Sequence, residues 1–291
     1  MRCVWAIVLA LSVFFLPIAS AQSSHLFHEK RQLPSDLEVG GDLPGLPADS
    51  TRYIARDELL AMPQVSFTAK DDSNFTGPTM IDGVRLEDLA QLVGSVSSVD
   101  MVVAVCDDGY RANYPRSYLT AHHPVLVLSV NGQPPNGWPK DAHDHSFDMG
   151  PYMISHQHFA PSFKVLSHVD EAQIPWGVVR LEFRREKAVF DAIAPSGPHE
   201  RDRAVRDGFR IAQQNCLRCH NSGSEGGKKS GRSWGSLSAL AGKSPEEFSG
   251  YIRNPSAKNP SAQMPGNPQY DDATLSALTE YFQAFSQPTK P

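Results

Sequence analysis

Apolar and polar positions follow two regimes along the chain. Over residues 51–185 the apolar residues come in short continuous or alternating runs, the signature of strands; beyond residue 203 they recur at three- and four-residue steps, the signature of helices. In the first regime residues 65–68 predict a strand. Met101-Val102-Val103-Ala104-Val105-Cys106 is a continuous apolar run ended by Asp107-Asp108-Gly109, which predicts a buried strand and a turn. Residues 125–130 repeat that pattern before Asn131-Gly132, the strongest hairpin signal in the chain. Residues 177–183 alternate cleanly, and 85–93 predict a helix with Leu86, Leu89, Ala90 and Val93 on one face. The expectation is a β-rich α+β domain.

The second regime predicts an all-α unit. A helix over 203–214, with Val205, Phe209 and Ala212 near one face, leads into Cys216. Ser244-Pro245-Glu246-Glu247 predicts a helix start with a hydroxyl N-cap and proline at the first helical position, followed by Phe248, Tyr251 and Ile252. A last helix begins at Asp271 or Asp272 and carries Leu275, Leu278, Phe282 and Phe285, with Pro288 just beyond it. At 291 residues the chain is long enough for two cores. The expected organisation is a signal peptide over 1–21, an arm or linker rich in Pro, Gly and charge over 22–50, the α+β domain over 51–185, a linker over 186–202 around Ala194-Pro195-Ser196-Gly197-Pro198, and the helical domain over 203–291.

The chemistry centres on Cys216-Leu217-Arg218-Cys219-His220. C-x-x-C-H is the spacing at which two thiols bond to haem vinyl groups and the adjacent histidine becomes an iron ligand. Half of a zinc site is the alternative, and it needs a second ligand pair that residues 221–291 do not contain. That stretch holds one methionine, Met264, and no histidine, which makes Met264 the candidate ligand for the other face of the iron. Pro265 and Gly266 predict a non-helical loop to present its sulfur. A packing methionine beside an open haem is the alternative.

The order of these parts resembles class I cytochrome c over about residues 202–287: a helix carrying Gly208-Phe209, then C-x-x-C-H, a Pro-rich Met loop, and a C-terminal helix with Tyr281-Phe282. The resemblance implies that the first and last helices cross near Gly208, that Cys216 and Cys219 carry one covalent haem c, and that His220 and Met264 ligate its iron. Arg253 and Trp234 read first as surface and packing residues, with contact to the propionates or ring edge as the alternative.

Met1-Arg2, the apolar run over 4–16 and Ala19-Ser20-Ala21 predict a cleaved secretory signal, so that the mature chain begins at Gln22, is periplasmic and has no membrane anchor. Export agrees with covalent haem attachment. Loss of Cys3 with the signal leaves Cys106 beside the two haem cysteines. The 27 basic and 32 acidic residues give a formal net charge of −5, which argues against nucleic acid as a partner and leaves a periplasmic redox protein or enzyme as electron donor or acceptor.

Within the first domain Gly83-Val84-Arg85-Leu86-Glu87-Asp88-Leu89, Asp108-Gly109-Tyr110-Arg111-Ala112-Asn113-Tyr114-Pro115, the hairpin Val130-Asn131-Gly132-Gln133-Pro134 and Gly150-Pro151-Tyr152-Met153 resemble, in that order, the molybdopterin-binding domain of the sulfite oxidase family. In that family a cysteine in the loop before the G-V-x-L segment ligates molybdenum, and basic residues nearby hold the pterin phosphate. Here residues 66–82 contain no cysteine and only Lys70 as a base. The expectation is an inherited fold that binds no molybdopterin. Cys106, at the end of five apolar residues, reads as a small buried hydrophobe.

Histidine is dense between His122 and His168, and His143/His145 and His156/His158 are H-x-H pairs that could chelate copper or zinc from one face of a strand. Solvated loop histidines are the favoured alternative. Three function classes stand in this order: a haem electron-transfer protein whose N-terminal domain docks a redox partner, a haem-coupled molybdenum oxidoreductase of sulfite dehydrogenase type, and a His-rich copper or zinc redox module. No nucleophile and base pair supports a hydrolase.

Overall fold

The computed structural model describes residues 26–70, 72–93, 100–140, 148–157 and 173–286. The signal segment, His143, His145, His158 and His168 lie outside the described residues. Strands and helices alternate through the first part: β1 (Leu37–Gly41), β2 (Arg52–Ile54), α1 (Arg56–Ala61), β3 (Val65–Ala69), β4 (Thr79–Arg85), α2 (Leu86–Leu92), β5 (Met101–Cys106), β6 (Arg111–Pro115), α3 (Arg116–His122), β7 (Val125–Val130), β8 (Tyr152–Ser155) and β9 (Trp176–Arg184). The second part holds α4 (Glu186–Asp191), α5 (Arg203–Ile211), the short ribbon β10 (Asn221–Ser222) and β11 (Glu225–Gly226), then α6 (Trp234–Lys243), α7 (Pro245–Arg253), α8 (Pro255–Lys258) and α9 (Asp272–Ser286).

Strands β1 to β9 form one sheet in the order β2-β1-β9-β8-β7-β4-β3, with β5 pairing both β9 and β6. Every pair is antiparallel except β1 with β9. The runs at 65–68, 101–106, 125–130 and 177–183 are strands and 85–93 is a helix, within a residue or two at each end.

The expected arm over 22–50 is corrected by β1. Leu37 and Val39 are fully buried, and Glu38 to Gly41 run in register beside Arg180 to Phe183. Two glycines in a five-residue strand hide its alternation, so the segment reads as linker in the sequence. The Asn131-Gly132 turn has the positive φ values of a hairpin turn, 50° and 72°, but it closes on a single bridge between Val130 and Gln133. Pro134 and Pro135 follow and have no N–H with which to continue a ladder. Asn131 Oδ1 instead accepts the Met80 N–H at 3.0 Å, tying the turn to β4.

The two faces of the sheet meet different neighbours. Register places Met101, Val103 and Val105 of β5 on one face with Arg111 and Asn113 of β6 and Arg180, Glu182 and Arg184 of β9. Val102 and Ala104 point the other way and pack with α1 to α3 in a core that includes Leu59, Leu86, Tyr114 and Phe183. Met101 and Val103 belong to a second core with Ile211, Leu217, Trp234, Phe248, Leu278 and Phe282 of the helical part. The two expected cores meet at the sheet, because the helical unit closes its second face.

The linker expected over 186–202 is corrected for the same reason. Val189, Phe190 and Ile193 are buried in the shared core, and Tyr281 Oη donates to Ile193 O at 2.6 Å. Helix α5 crosses α9 at Gly208, where a Cβ would lie 2.1 Å from Ala277 O, so only glycine permits the approach. Ser244 does begin α7, but its side chain caps nothing; its N–H closes α6 on Leu240 O and its carbonyl opens α7. Asp271 caps α9 by accepting the Thr274 N–H at 2.8 Å.

Candidate haem site

The attachment turn grows out of α5. Residues Ala212–Cys216 continue it as one wide π-type turn, with Leu217 N–H reaching back to Ala212 O at 3.0 Å, and the chain then tightens so that Cys219 and His220 both donate to Cys216 O. Leu217 is fully buried and anchors this turn, while Cys216 and Cys219 are half-buried. A strap over 226–230 runs beside it. Gly227 N–H donates to Leu217 O and Ser230 N–H to Cys219 O, and a Cβ on Gly227 would lie 1.8 Å from Arg218 O.

Cys216, Cys219 and His220 open onto a cavity of about 480 Å3 that Met264 lines as well. Leu237, Leu240, Phe248, Ile252 and Phe282 give it apolar walls, and Lys229 and Arg232 are its basic groups. The Met264 loop is fixed by Asn267, whose N–H and side-chain amide donate to the end of α7. The sequence reasoning thus brought together the four side chains that share this cavity. It missed Tyr110, which reaches the cavity from the β5–β6 turn of the sheet, because nothing in the sequence marks the contact between the two halves.

His220 is buried, and its Nδ1 lies 2.7 Å from Arg232 O. A carbonyl accepts only, so Nδ1 carries the proton and Nε2 is left with its lone pair. Burial holds the imidazole below its ordinary pKa, against the opposing pull of that hydrogen bond. A neutral imidazole whose second nitrogen is fixed by a carbonyl is the form that ligates a metal. With two thiols at the attachment spacing, a thioether and apolar walls around an enclosed space, the residues fit a haem c.

The remaining candidates separate from the site. Trp234 is buried and donates from Nε1 to Tyr281 Oη at 3.0 Å; Arg253 pairs with Asp272 at 2.6 Å, and neither lines the cavity. His156 is a core residue, which corrects its place in a copper or zinc pair: Nε2 lies 3.1 Å from Tyr118 Oη, and burial, with His122 adding to it, pushes its pKa down to about 3. Among the described residues no group of three or more His, Cys, Asp or Glu could hold a metal. Cys106 packs in the first core, and burial raises its thiol well above the ordinary range. No helix among the described residues is long and apolar enough to cross a membrane.

Fold and site together define the C-terminal part as a cytochrome c domain carried on a β-rich N-terminal region. Residues 203–282 match the family described as cytochrome c oxidase, cbb3-type, subunit III. The structure is similar to the crystal structure of the sulfane dehydrogenase SoxCD from Paracoccus pantotrophus over 57% of this chain, at 14% identity and a TM-score of 0.34. That similarity spans 43% of the other chain. No curated protein sequence matches this one.

Proposed function

We propose that the chain is a periplasmic electron-transfer protein with one covalent haem c, and that its N-terminal domain binds no molybdenum cofactor but presents the haem domain to a redox partner. Cys216 and Cys219 would hold the haem through thioethers, and His220 Nε2 and Met264 Sδ would ligate its iron. The observation that carries this reading is the fixed tautomer of His220, placed in one cavity with both thiols and the thioether. Held by a histidine and a methionine, the haem would supply one-electron transfer rather than a substrate-binding position. The chain's own residues hold His220 in one orientation, keep water from the cavity with leucine and phenylalanine, and favour the reduced state through a soft sulfur ligand. The N-terminal domain has the contacts for a rigid support, since it closes the haem domain's core with Met101 and Val103 and adds Tyr110 to the cavity wall.

Metal analysis of the full-length holoprotein tests this reading. Iron at one equivalent with no molybdenum is expected, and the haem should stay with the polypeptide through acid-acetone extraction. Haem that extracts freely removes the covalent assignment. Stoichiometric molybdenum would replace the carrier by a haem-coupled oxidoreductase, and stoichiometric copper or zinc by the His-rich module.

A further inference from the structure

We propose that Gln173 is a positioning residue for the haem: from the edge of the sheet it holds open the wide turn that aims Cys216 at the cavity. Gln173 lies shortly before β9 and is 1% exposed. Its Oε1 accepts the Asn113 N–H at 2.9 Å, and its Nε2 donates to Asn113 O at 2.7 Å and to Gln214 Oε1 at 2.8 Å. The backbone of Gln173 is held as well, its N–H donating to Tyr118 Oη at 3.2 Å and its carbonyl accepting from Tyr114 Oη at 2.8 Å.

Topology explains the pairing with Asn113. Among the described residues β6 has β5 as its strand partner, so its other edge presents the backbone groups of every second residue. At Arg111 the outward N–H is taken by Arg218 O at 2.9 Å. At Asn113 the edge is completed by Gln173, whose amide sets a donor beside an acceptor as a neighbouring strand would. The sheet edge is therefore fastened to the attachment turn on both sides of Cys216, at Gln214 before it and at Arg218 after it.

Gln214 is buried and lies inside the π-type turn over Ala212–Cys216. Such a turn carries one residue more than an α-turn and is the rarer form, so it persists where its surroundings hold it. Were it to close into an α-turn, the chain beyond it would advance by one residue and rotate by about 100° about the helix axis. That rotation takes Cys216 off the cavity wall it shares with Cys219 and His220. The hydrogen bond from Gln173 opposes it by pairing Gln214 with the sheet. The effect on the iron rests on the haem reading above, because a thioether at Cys216 would fix one edge of the ring, and ring distortion is one of the protein's levers on haem iron. The placement of the turn does not rest on that reading.

The test compares Gln173→Leu, Gln214→Leu and Gln214→Glu with the parent, all as full-length holoproteins. Hydrogen exchange at the Leu217 amide, which closes the wide turn, should speed up about tenfold in both leucine variants, the worth of one buried hydrogen bond, while Leu278 in α9 keeps its rate. The electron paramagnetic resonance signal of the low-spin ferric iron should broaden in the same two variants. Gln214→Glu keeps an oxygen that accepts the Gln173 N–H and should restore the parent's exchange rate and linewidth. If Gln173→Leu does not fold, Gln214→Leu decides alone, since it leaves the pairing with Asn113 in place. Unchanged exchange at Leu217, equal acceleration at Leu217 and Leu278, or a Gln214→Glu that behaves as Gln214→Leu would overturn the proposal. A chain that carries no haem would sink the haem reading and leave the exchange comparison to judge the placement of the turn.

Discussion

Met264 and His156 show how one sequence signal leads to opposite outcomes. Met264 sits in a Pro- and Gly-bounded loop and reaches the cavity that holds Cys216, Cys219 and His220. If Met264 ligates the iron as proposed, its soft sulfur would stabilise the ferrous state. Met264→Ala should lower the midpoint potential and remove the weak near-infrared sulfur-to-iron band of the oxidised protein; an unchanged band and potential would assign the ligand elsewhere. His156 was equally conspicuous in the sequence as half of an H-x-H pair, yet it lies in the core against Tyr118. Gln173 N–H already donates to Tyr118 Oη at 3.2 Å, which directs the phenolic proton to the neutral imidazole. In the folded state this histidine takes up a proton near pH 3, and in the unfolded chain near 6.5. Between those values the unfolded chain holds the extra proton. Stability from this group is complete above the upper value and declines as pH falls toward the lower one, by about 1.4 kcal/mol per unit. Denaturant titrations across that window should show a slope one proton shallower in His156→Gln than in the parent chain.

At the scale of elements, legibility followed how much of each signal is local. Strands β5, β7 and β9 and helix α9 announce themselves because burial on one or both faces writes an apolar pattern longer than a turn. Strand β1 is short, with two glycines among its five residues, and its place beside β9 is decided by a partner far along the chain. Helix α6 went unread although Ser233 caps it and Trp234, Leu237 and Ala241 mark its buried face, since two glycines and two serines dilute the pattern. The α5–α9 crossing is the best-specified contact of the helical part. Gly208→Ala puts a methyl into the Ala277 carbonyl, so the helices must separate and the core around Tyr281 must loosen. A loss of about 1–3 kcal/mol in unfolding free energy is expected, with more for Gly208→Val, and an unchanged denaturation midpoint would contradict the close approach.

For the whole molecule, the sequence divides cleanly in composition and the structure does not divide in packing. Nothing local in Met101-Val102-Val103-Ala104-Val105 says that alternate residues face different halves, because a strand buried on both sides reads as uniformly apolar. Polar contacts cross the same junction. Arg184 pairs with Glu225 at 2.5 Å, Arg111 bridges Glu182 and the Gly226 carbonyl, and Gln173 donates to Gln214 Oε1 at 2.8 Å. A haem domain tied down in this way should not unfold ahead of the sheet. Soret absorbance, which follows the haem site, and far-ultraviolet circular dichroism, which follows the whole backbone, should report one coincident thermal transition in the full-length holoprotein. Glu225→Ala leaves the half-buried Arg184 with Glu182 as its remaining carboxylate and should cost about 1–3 kcal/mol, lowering both signals together. Should the Soret transition alone move down while the backbone transition stays in place, the two halves fold independently. The N-terminal domain would then be a tethered neighbour of the haem rather than part of its support.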